Sequence, residues 1–271
     1  MRVKSSVRTI LDNDRRRWLL QFLGSAYLTT TRGPCWVSRR DGRWVHHYRS
    51  QAFVSPSIGG QSPAMLDRTT RDVYLWGYTP KYGDVVVDVG SGIGTEVPTF
   101  SRLVGSAGRV LAVEAHPTIF EYLVANVTMN NLSNVTPLNL AIAGELGRVR
   151  ITDDLDDHLS NTIVAVDDGI DVEAETLDGL VATHGLETID FLRMNIEGAE
   201  VMALQGGREA LARTRYLCVC CHDFRADRTG EEAMRTFGTV SRRLQDAGFD
   251  LAFRRDDPRP DVRDTVYGSR R

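Results

Sequence analysis

The sequence predicts an α/β fold: a doubly wound, mostly parallel seven-stranded sheet with an N-terminal helical and hairpin accessory segment. Three observations predict it. VVVDVGSGIGTE, residues 85–96, reads as a β-branched strand, a glycine-rich turn and the start of a helix. RVLAVEA, residues 109–115, is a second apolar strand with Glu114 at its end. Beyond it, strand patterns alternate with helical ones and close on a terminal hairpin. A mostly parallel sheet with one antiparallel edge strand requires that order.

The 271 residues suit one large domain, or one domain with a small appendage. The boundary falls near residue 80, giving an accessory segment at 1–80 and a nucleotide-binding domain at 81–271. A formal net charge of −3 gives no reason to expect a nucleic-acid binder. Cys35, Cys218, Cys220 and Cys221 have neither a disulfide framework nor zinc spacing. They read as reduced, buried thiols of a cytoplasmic protein, with Cys218 and Cys220 on one face of a strand and Cys221 on the other. No apolar run approaches the roughly 20 residues needed to cross a bilayer, and no signal-peptide core is present.

The elements follow in order. Residues 1–30 read as helical. Within them, 7–23 places Arg15, Arg16 and Arg17 beside Trp18, Leu19, Leu20, Phe22 and Leu23. Such a helix docks on its own domain or a second copy in a homodimer, or lies on an anionic membrane surface. CWVSRR and RWVHHYRSQAFV flank Asp41-Gly42, a hairpin signal. Adjacent His46 and His47 face opposite sides of a strand and cannot readily share a metal. Residues 64–77 suggest a helix, and Glu96 to Leu103 another, with Pro98 tolerated in its first turn. A helix over Ile119–Val127 precedes a third strand at Val135–Ala143. DDLDDH, residues 153–158, reads as a solvated acidic loop, with a metal site as the alternative. A short helix at Glu175–His184 is followed by strands at Thr188–Ile196, Tyr216–Asp223, Phe249–Phe253 and Thr265–Tyr267.

The loop's chemistry is narrower than its shape. A dinucleotide fingerprint needs Gly or Ala where Thr95 stands, so the fit is broken. Asp88, at the strand end, would also repel a pyrophosphate. A cofactor bearing a sulfonium and an amino acid suits Asp88, Gly90, Ser91, Gly92, Gly94, Thr95 and Glu96 better. Glu114 is placed to accept two ribose hydroxyls, with Ala115 and His116 beside it, and Ala141 and Ile142 should border an adenine.

Four stretches together resemble the FkbM-type methyltransferases: VVVDVGSGIGTE, AVEAHP at 112–117, DFLRMNIEGAE at 190–200 and TVYGSR at 265–270. The resemblance covers about residues 72–270 in order. It implies a class I, Rossmann-like methyltransferase fold and S-adenosylmethionine as methyl donor. It also implies transfer to a hydroxyl acceptor such as a sugar, glycolipid or polyketide natural product. One position departs from the family's pattern, which usually has Asp where this chain has Asn195. Asn cannot act as a base, which leaves open whether a divalent cation takes part.

Transfer to a hydroxyl needs in-line alignment and removal of one proton. His222, at a strand end on the loop's rim, is the expected base as a neutral imidazole. Glu197 and Asn195 are the other expected catalytic residues, with Glu200 capping or facing solvent. Trp18, Trp36, Trp44 and Trp76 are expected either as acceptor-pocket walls or as core. Two alternatives stand beside this reading. One is a NAD-dependent oxidoreductase, which explains the loop and Glu114 but not Thr95, Asp88 or the EGAE block. The other is a cofactor-binding protein without transferase activity.

Overall fold

A computed structural model describes residues 17–153 and 169–270. Helix α1 (Arg17–Arg32) lies on a three-stranded antiparallel sheet of β1 (Cys35–Arg40), β2 (Arg43–Tyr48) and β3 (Ala52–Ser55). Asp41 and Gly42 both have positive φ, 50° and 76°, which matches the hairpin turn expected of Asp-Gly. Leu20 and Leu28 of α1 close a small core over Cys35, Val37 and Trp44. Helix α2 (Pro63–Thr69) starts at Ser62, whose hydroxyl accepts from the Met65 amide, and runs into a π turn at Thr70–Tyr74.

The main domain runs β4 (Val85–Val89), α3 (Val97–Val104), β5 (Arg109–Val113), α4 (Pro117–Met129) and β6 (Val135–Leu138). It continues through β7 (Ala141–Ile142), β8 (Gly147–Ile151), β9 (Ile170–Glu175), α5 (Leu177–Thr183) and β10 (Ile189–Met194). Then come α6 (Glu200–Gln205), α7 (Arg208–Arg213), β11 (Thr214–Cys220), α8 (Asp223–Thr229) and α9 (Phe237–Asp246). Last are β12 (Asp250–Phe253), α10 (Pro260–Arg263) and β13 (Thr265–Ser269). The seven-stranded sheet has the order β12-β13-β11-β10-β4-β5-β6. β11, β10, β4, β5 and β6 are mutually parallel, and β13 is antiparallel to both its neighbours. Apolar layers cover both faces. Val87, Leu111, Leu192 and Cys221 share one, and Val86, Val110, Phe191, Cys218 and Cys220 the other. The thiols thus divide as strand alternation requires, and all four are free and buried.

Three expectations need correction. The antiparallel strand is not at the sheet's edge, because β13 inserts between β11 and β12 and leaves β12 outermost. The strand expected over 135–143 is two strands in different sheets. It breaks at Asn139, whose Nδ2 donates to the Glu114 and Ala115 carbonyls at 2.9 and 3.1 Å. This side chain competes with the ladder, as Asn does in turns. β7 then joins β8 and β9 in a small sheet. β8 and β9 had no counterpart among the expected strands. IDVEAE alternates in burial, but its acidic residues have low β-propensity. Of the acidic run 153–158, Asp153 is described and 154–158 lie outside the described residues, as do residues 7–16 of the basic helix.

Asn126 of α4 joins the accessory sheet to the loop region. Its Oδ1 accepts from the Val54 amide at 2.6 Å, and its Nδ2 donates to the Val54 and Ile93 carbonyls at 2.9 and 2.8 Å. Asn126→Ala strands buried backbone groups, and a loss of about 2–4 kcal/mol in a urea melt is expected. An unchanged midpoint would show that the clip carries no stability.

Candidate functional site

The carboxyl ends of β4, β10 and β11 open into one cavity of about 470 Å³. The parallel pairing of β4 with β10 sets Gly90 against Asn195. The Gly90 and Ser91 amides donate to the Val113 carbonyl, both at 2.9 Å, and the Asn195 amide donates to Val89 at 3.0 Å. These bonds tie three strand ends together. Gly90 has φ +79°, and a Cβ there would stand 2.0 Å from the Asn195 carbonyl oxygen, so no side chain fits. Gly92, φ +56°, would point a Cβ into open space. That open cradle beside a helix N-terminus is what a bound nucleoside's tail requires. Gly94 packs on Leu123 beneath the loop.

The cavity wall gathers Gly90, Ser91, Gly92, Thr95 and Glu96 from the loop with Asn195, Glu197 and His222 from the other strand ends. These expected residues therefore share one space. Tyr74 and Phe224 bring rings to the same wall, and Gln61 and Thr69 bring polar groups. The accessory segment thus lines the cavity, but through α2 and the π turn. None of the four tryptophans lines it. Trp44 is core, whereas Trp18, Trp36 and Trp76 are exposed, with Trp36 stacked on His47 at 3.6 Å. Helical amphipathicity could not reveal Tyr74, because the π turn breaks the helical period there.

Asp88 does not face the cavity. It is fully buried, accepting from Arg193 Nη1 at 2.9 Å and from Ser91 Oγ at 2.8 Å. Arg193 offsets its charge, so Asp88 supports the loop from below, and repulsion of a pyrophosphate by a free carboxylate does not apply. Arg193 is the main residue the sequence reading missed. Arg within FLRM reads as an interruption of a buried strand, and an unpaired buried charge is costly. That cost was the signal that Asp88 and Arg193 belong together.

His222 is held at both ends. Nδ1 lies 2.9 Å from Glu200 Oε1, and Nε2 lies 3.2 Å from Glu197 Oε1. Burial alone would lower its pKa, but the two glutamates outweigh burial and raise it to about 10. The two glutamates thus favour the imidazolium, the form opposite to the expected neutral base. Glu200 neither caps nor faces solvent. It is fully buried and also accepts from the Gly198 amide at 3.1 Å and Thr236 Oγ1 at 3.0 Å. Glu197 sits at φ +53° and is gripped by His222 and Arg225. Burial pushes its carboxyl up, yet these two cations bring it below its ordinary value.

On the far side of the loop, Glu114 Oε2 accepts from the Gly92 amide at 2.9 Å and Oε1 from the His116 amide at 2.8 Å. Burial outweighs these bonds and raises its pKa to about 7. His116 is buried with Nε2 3.0 Å from Asp153. Ala141 and Ile142, expected at the adenine, bury their side chains in two apolar clusters, and Ala115 packs beside Ala141. Glu114, Ala115, His116, Ala141 and Ile142 lie outside the lining of the 470 Å³ cavity. Among the described residues, no three His, Cys, Asp or Glu side chains converge as a metal site. Among them too, no helix is long and apolar enough to cross a membrane.

Residues 88–251 match the family model described as the methyltransferase FkbM domain. A 54-residue stretch is 41% identical to 2-O-methyltransferase NoeI of Sinorhizobium fredii (strain NBRC 101917 / NGR234), over 20% of this chain and 22% of that one. Among solved structures, a methyltransferase FkbM from Methylobacillus flagellatus KT has a TM-score of 0.48 at 18% identity, covering 69% of this chain and 44% of that one. Aeropyrum pernix fibrillarin, solved with natively bound S-adenosyl-L-methionine, has a TM-score of 0.47 at 17% identity, covering 86% and 97%. The chain thus spans less than half the length of NoeI and of the Methylobacillus protein.

Proposed function

Because the chain belongs to the FkbM methyltransferase family, we propose that it transfers a methyl group from S-adenosylmethionine to a hydroxyl of a sugar, a glycolipid or another natural product. One observation carries this reading: the glycine loop and the Asn195–Glu197 block form adjoining walls of one cavity that also holds polar and aromatic side chains. Aromatic faces beside amide and carboxylate groups suit a polyhydroxylated acceptor. NoeI, the 2-O-methyltransferase similar over one short stretch, supports oxygen as the acceptor atom.

The open cradle at Gly92 and the Nε of buried Arg193, which has no hydrogen-bond partner among the described residues, fit the donor's amino-acid end. When bound, the donor supplies a methyl group activated by a sulfonium sulfur. Asn195 orients the acceptor hydroxyl from the β10 end, and Glu197 accepts its proton. A carboxylate of low pKa suffices, because the hydroxyl becomes far more acidic as its oxygen gains the methyl carbon. His222 and Arg225 hold Glu197 in position and stay cationic. Each Glu114 oxygen accepts one backbone amide and keeps acceptor capacity, with which it receives the ribose hydroxyls.

A radiolabelled methyl-transfer assay over a panel of sugar, glycolipid and polyketide hydroxyls tests the proposal. Labelled ether products are expected. Transfer confined to nitrogen or sulfur acceptors would overturn the hydroxyl reading, and tight NAD binding without S-adenosylmethionine binding would favour an oxidoreductase.

The outer face of α1 supports a glycolipid among these acceptors. Trp18 and Phe22, one turn apart on that face, are each 65% exposed. Between residues 18 and 62 the sequence sets Arg32, Arg39, Arg40, Arg43 and Arg49 against Asp41 alone, and of these Arg43 pairs with Glu121 of α4. Exposed aromatics within a basic segment suit an anionic membrane surface, whereas two copies meeting through this face would bring like charges together. Sedimentation with phosphatidylserine-containing vesicles, weakened in Trp18→Ser/Phe22→Ser and absent with pure phosphatidylcholine, is expected. A concentration-dependent dimer without vesicle binding would instead assign this face to a second copy.

A further inference from the structure

Arg193 and Glu96, of opposite charge, both stand on the cavity wall and form no ion pair with each other. Arg193 is 2% exposed and donates from Nη1 to Asp88 and to the Gly90 carbonyl, at 2.9 and 2.8 Å. Its guanidinium lies 4.3 Å from the centre of the Tyr74 ring. Nε, also buried, has no hydrogen-bond partner among the described residues. Buried donors are seldom left so, and the orphan asks for an acceptor that the described residues do not supply.

Glu96 follows the glycine loop at the start of α3 and lines the same cavity. Its Oε2 accepts from Thr95 Oγ1 at 2.6 Å, and among the described residues it forms no ion pair. Burial raises its pKa, and Arg193, beyond salt-bridge reach, lowers it only in part. Among the described residues, Glu96 thus lacks a contacting cation just as Arg193 Nε lacks an acceptor.

The charges around the cavity also select the ligand. A purely anionic group, such as a pyrophosphate, would meet an Arg193 whose charge Asp88 already offsets, and also the carboxylate of Glu96. A group carrying both signs, oriented correctly, meets an opposite charge at each end and leaves the net charge of the site unchanged.

We infer that Arg193 and Glu96 form a receptor for an α-amino-acid zwitterion, with Arg193 Nε holding the carboxylate and Glu96 the ammonium. The ligand end that fits is the amino-acid tail of the methyl donor, so the inference rests on the methyltransferase reading and deepens it. Arg193 thereby has two roles: Nη1 fixes the loop from below, and Nε reads the ligand from the cavity.

Isothermal titration of the full chain with S-adenosylhomocysteine, its decarboxylated analogue and its deaminated analogue tests this without an acceptor. The wild type should prefer the complete ligand over each truncated one by about tenfold or more, as charge-assisted hydrogen bonds do. Glu96→Gln should abolish the preference over the deaminated analogue and keep the other. Arg193→Lys retains a cation for Asp88, so the fold is kept, and should abolish the preference over the decarboxylated analogue alone. Variants that keep both preferences, or lose affinity for all three ligands in equal proportion, would overturn the inference, since the residues would then be only structural. A wild type that binds none of the three ligands would overturn the methyltransferase reading itself and the inference with it.

Discussion

Gly90→Ala is expected to abolish nucleoside binding and to destabilise the protein by more than about 3 kcal/mol. The added Cβ would sit 2.0 Å from the Asn195 carbonyl oxygen and 2.9 Å from its carbon. Both are backbone atoms of a loop that leaves a fully buried central strand, so neither can swing aside. The alanine would also have to hold φ +79°, which costs a non-glycine residue on its own. Relief requires β4 and β10 to part at the point where the Asn195 amide bonds Val89. Thermal melting and S-adenosylhomocysteine titration would measure the two losses. Gly92→Ala is the control. Its Cβ meets nothing within 4 Å, so only backbone strain and the ligand's space are lost. A folded Gly90→Ala with normal affinity would show that the loop does not abut Asn195.

Glu200→Ala is expected to cost about 3–5 kcal/mol, because it removes one partner of a buried ion pair and leaves His222 with Glu197 alone. The pH dependence identifies the cause. The folded pKa of His222, about 10, lies above its ordinary value of 6.5. Its contribution to stability is therefore complete below pH 6.5 and is lost as the pH rises through 10. Urea melts should show the wild type losing stability over that window, and the deficit of Glu200→Ala should be widest near pH 6 and narrow toward pH 10. A deficit independent of pH would mean that His222 is neutral in the folded protein, and would restore it as a candidate base. The depressed pKa of Glu197 belongs to the same contact and adds no second contribution.

His222 also shows where inference from position stops. Its place at the end of β11, on the rim of the loop, was legible. Its charge was not. Glu197 and Glu200 are more than twenty residues upstream and reach His222 only because β10 and β11 run in parallel and the chain turns sharply at Glu197 and Gly198. Glu200 lies three residues past Glu197, on the first turn of α6, and Thr236 reaches it from just before α9. No linear spacing encodes such a convergence.

The β-branched run at Val85, the turn-forming glycines and the alternation of strand and helix determined the doubly wound sheet by themselves, since local backbone preference and apolar periodicity act within one element. The same logic placed Cys221 opposite Cys218 and Cys220. The small sheet of β7, β8 and β9 escaped it, because the Asn139 side chain ends β6 through bonds to carbonyls 24 and 25 residues away. Residue identities likewise named the cavity's loop wall, but only tertiary packing decided which charges remain free there. Asp88 looked available and is consumed by Arg193, and His222 looked neutral and is charged by two glutamates. Glu96, one of several loop positions in the sequence, is left without a contacting cation among the described residues. Charge is long-ranged and depends on which strands are neighbours, so the electrostatics of this site were decided by the fold and not by the motif.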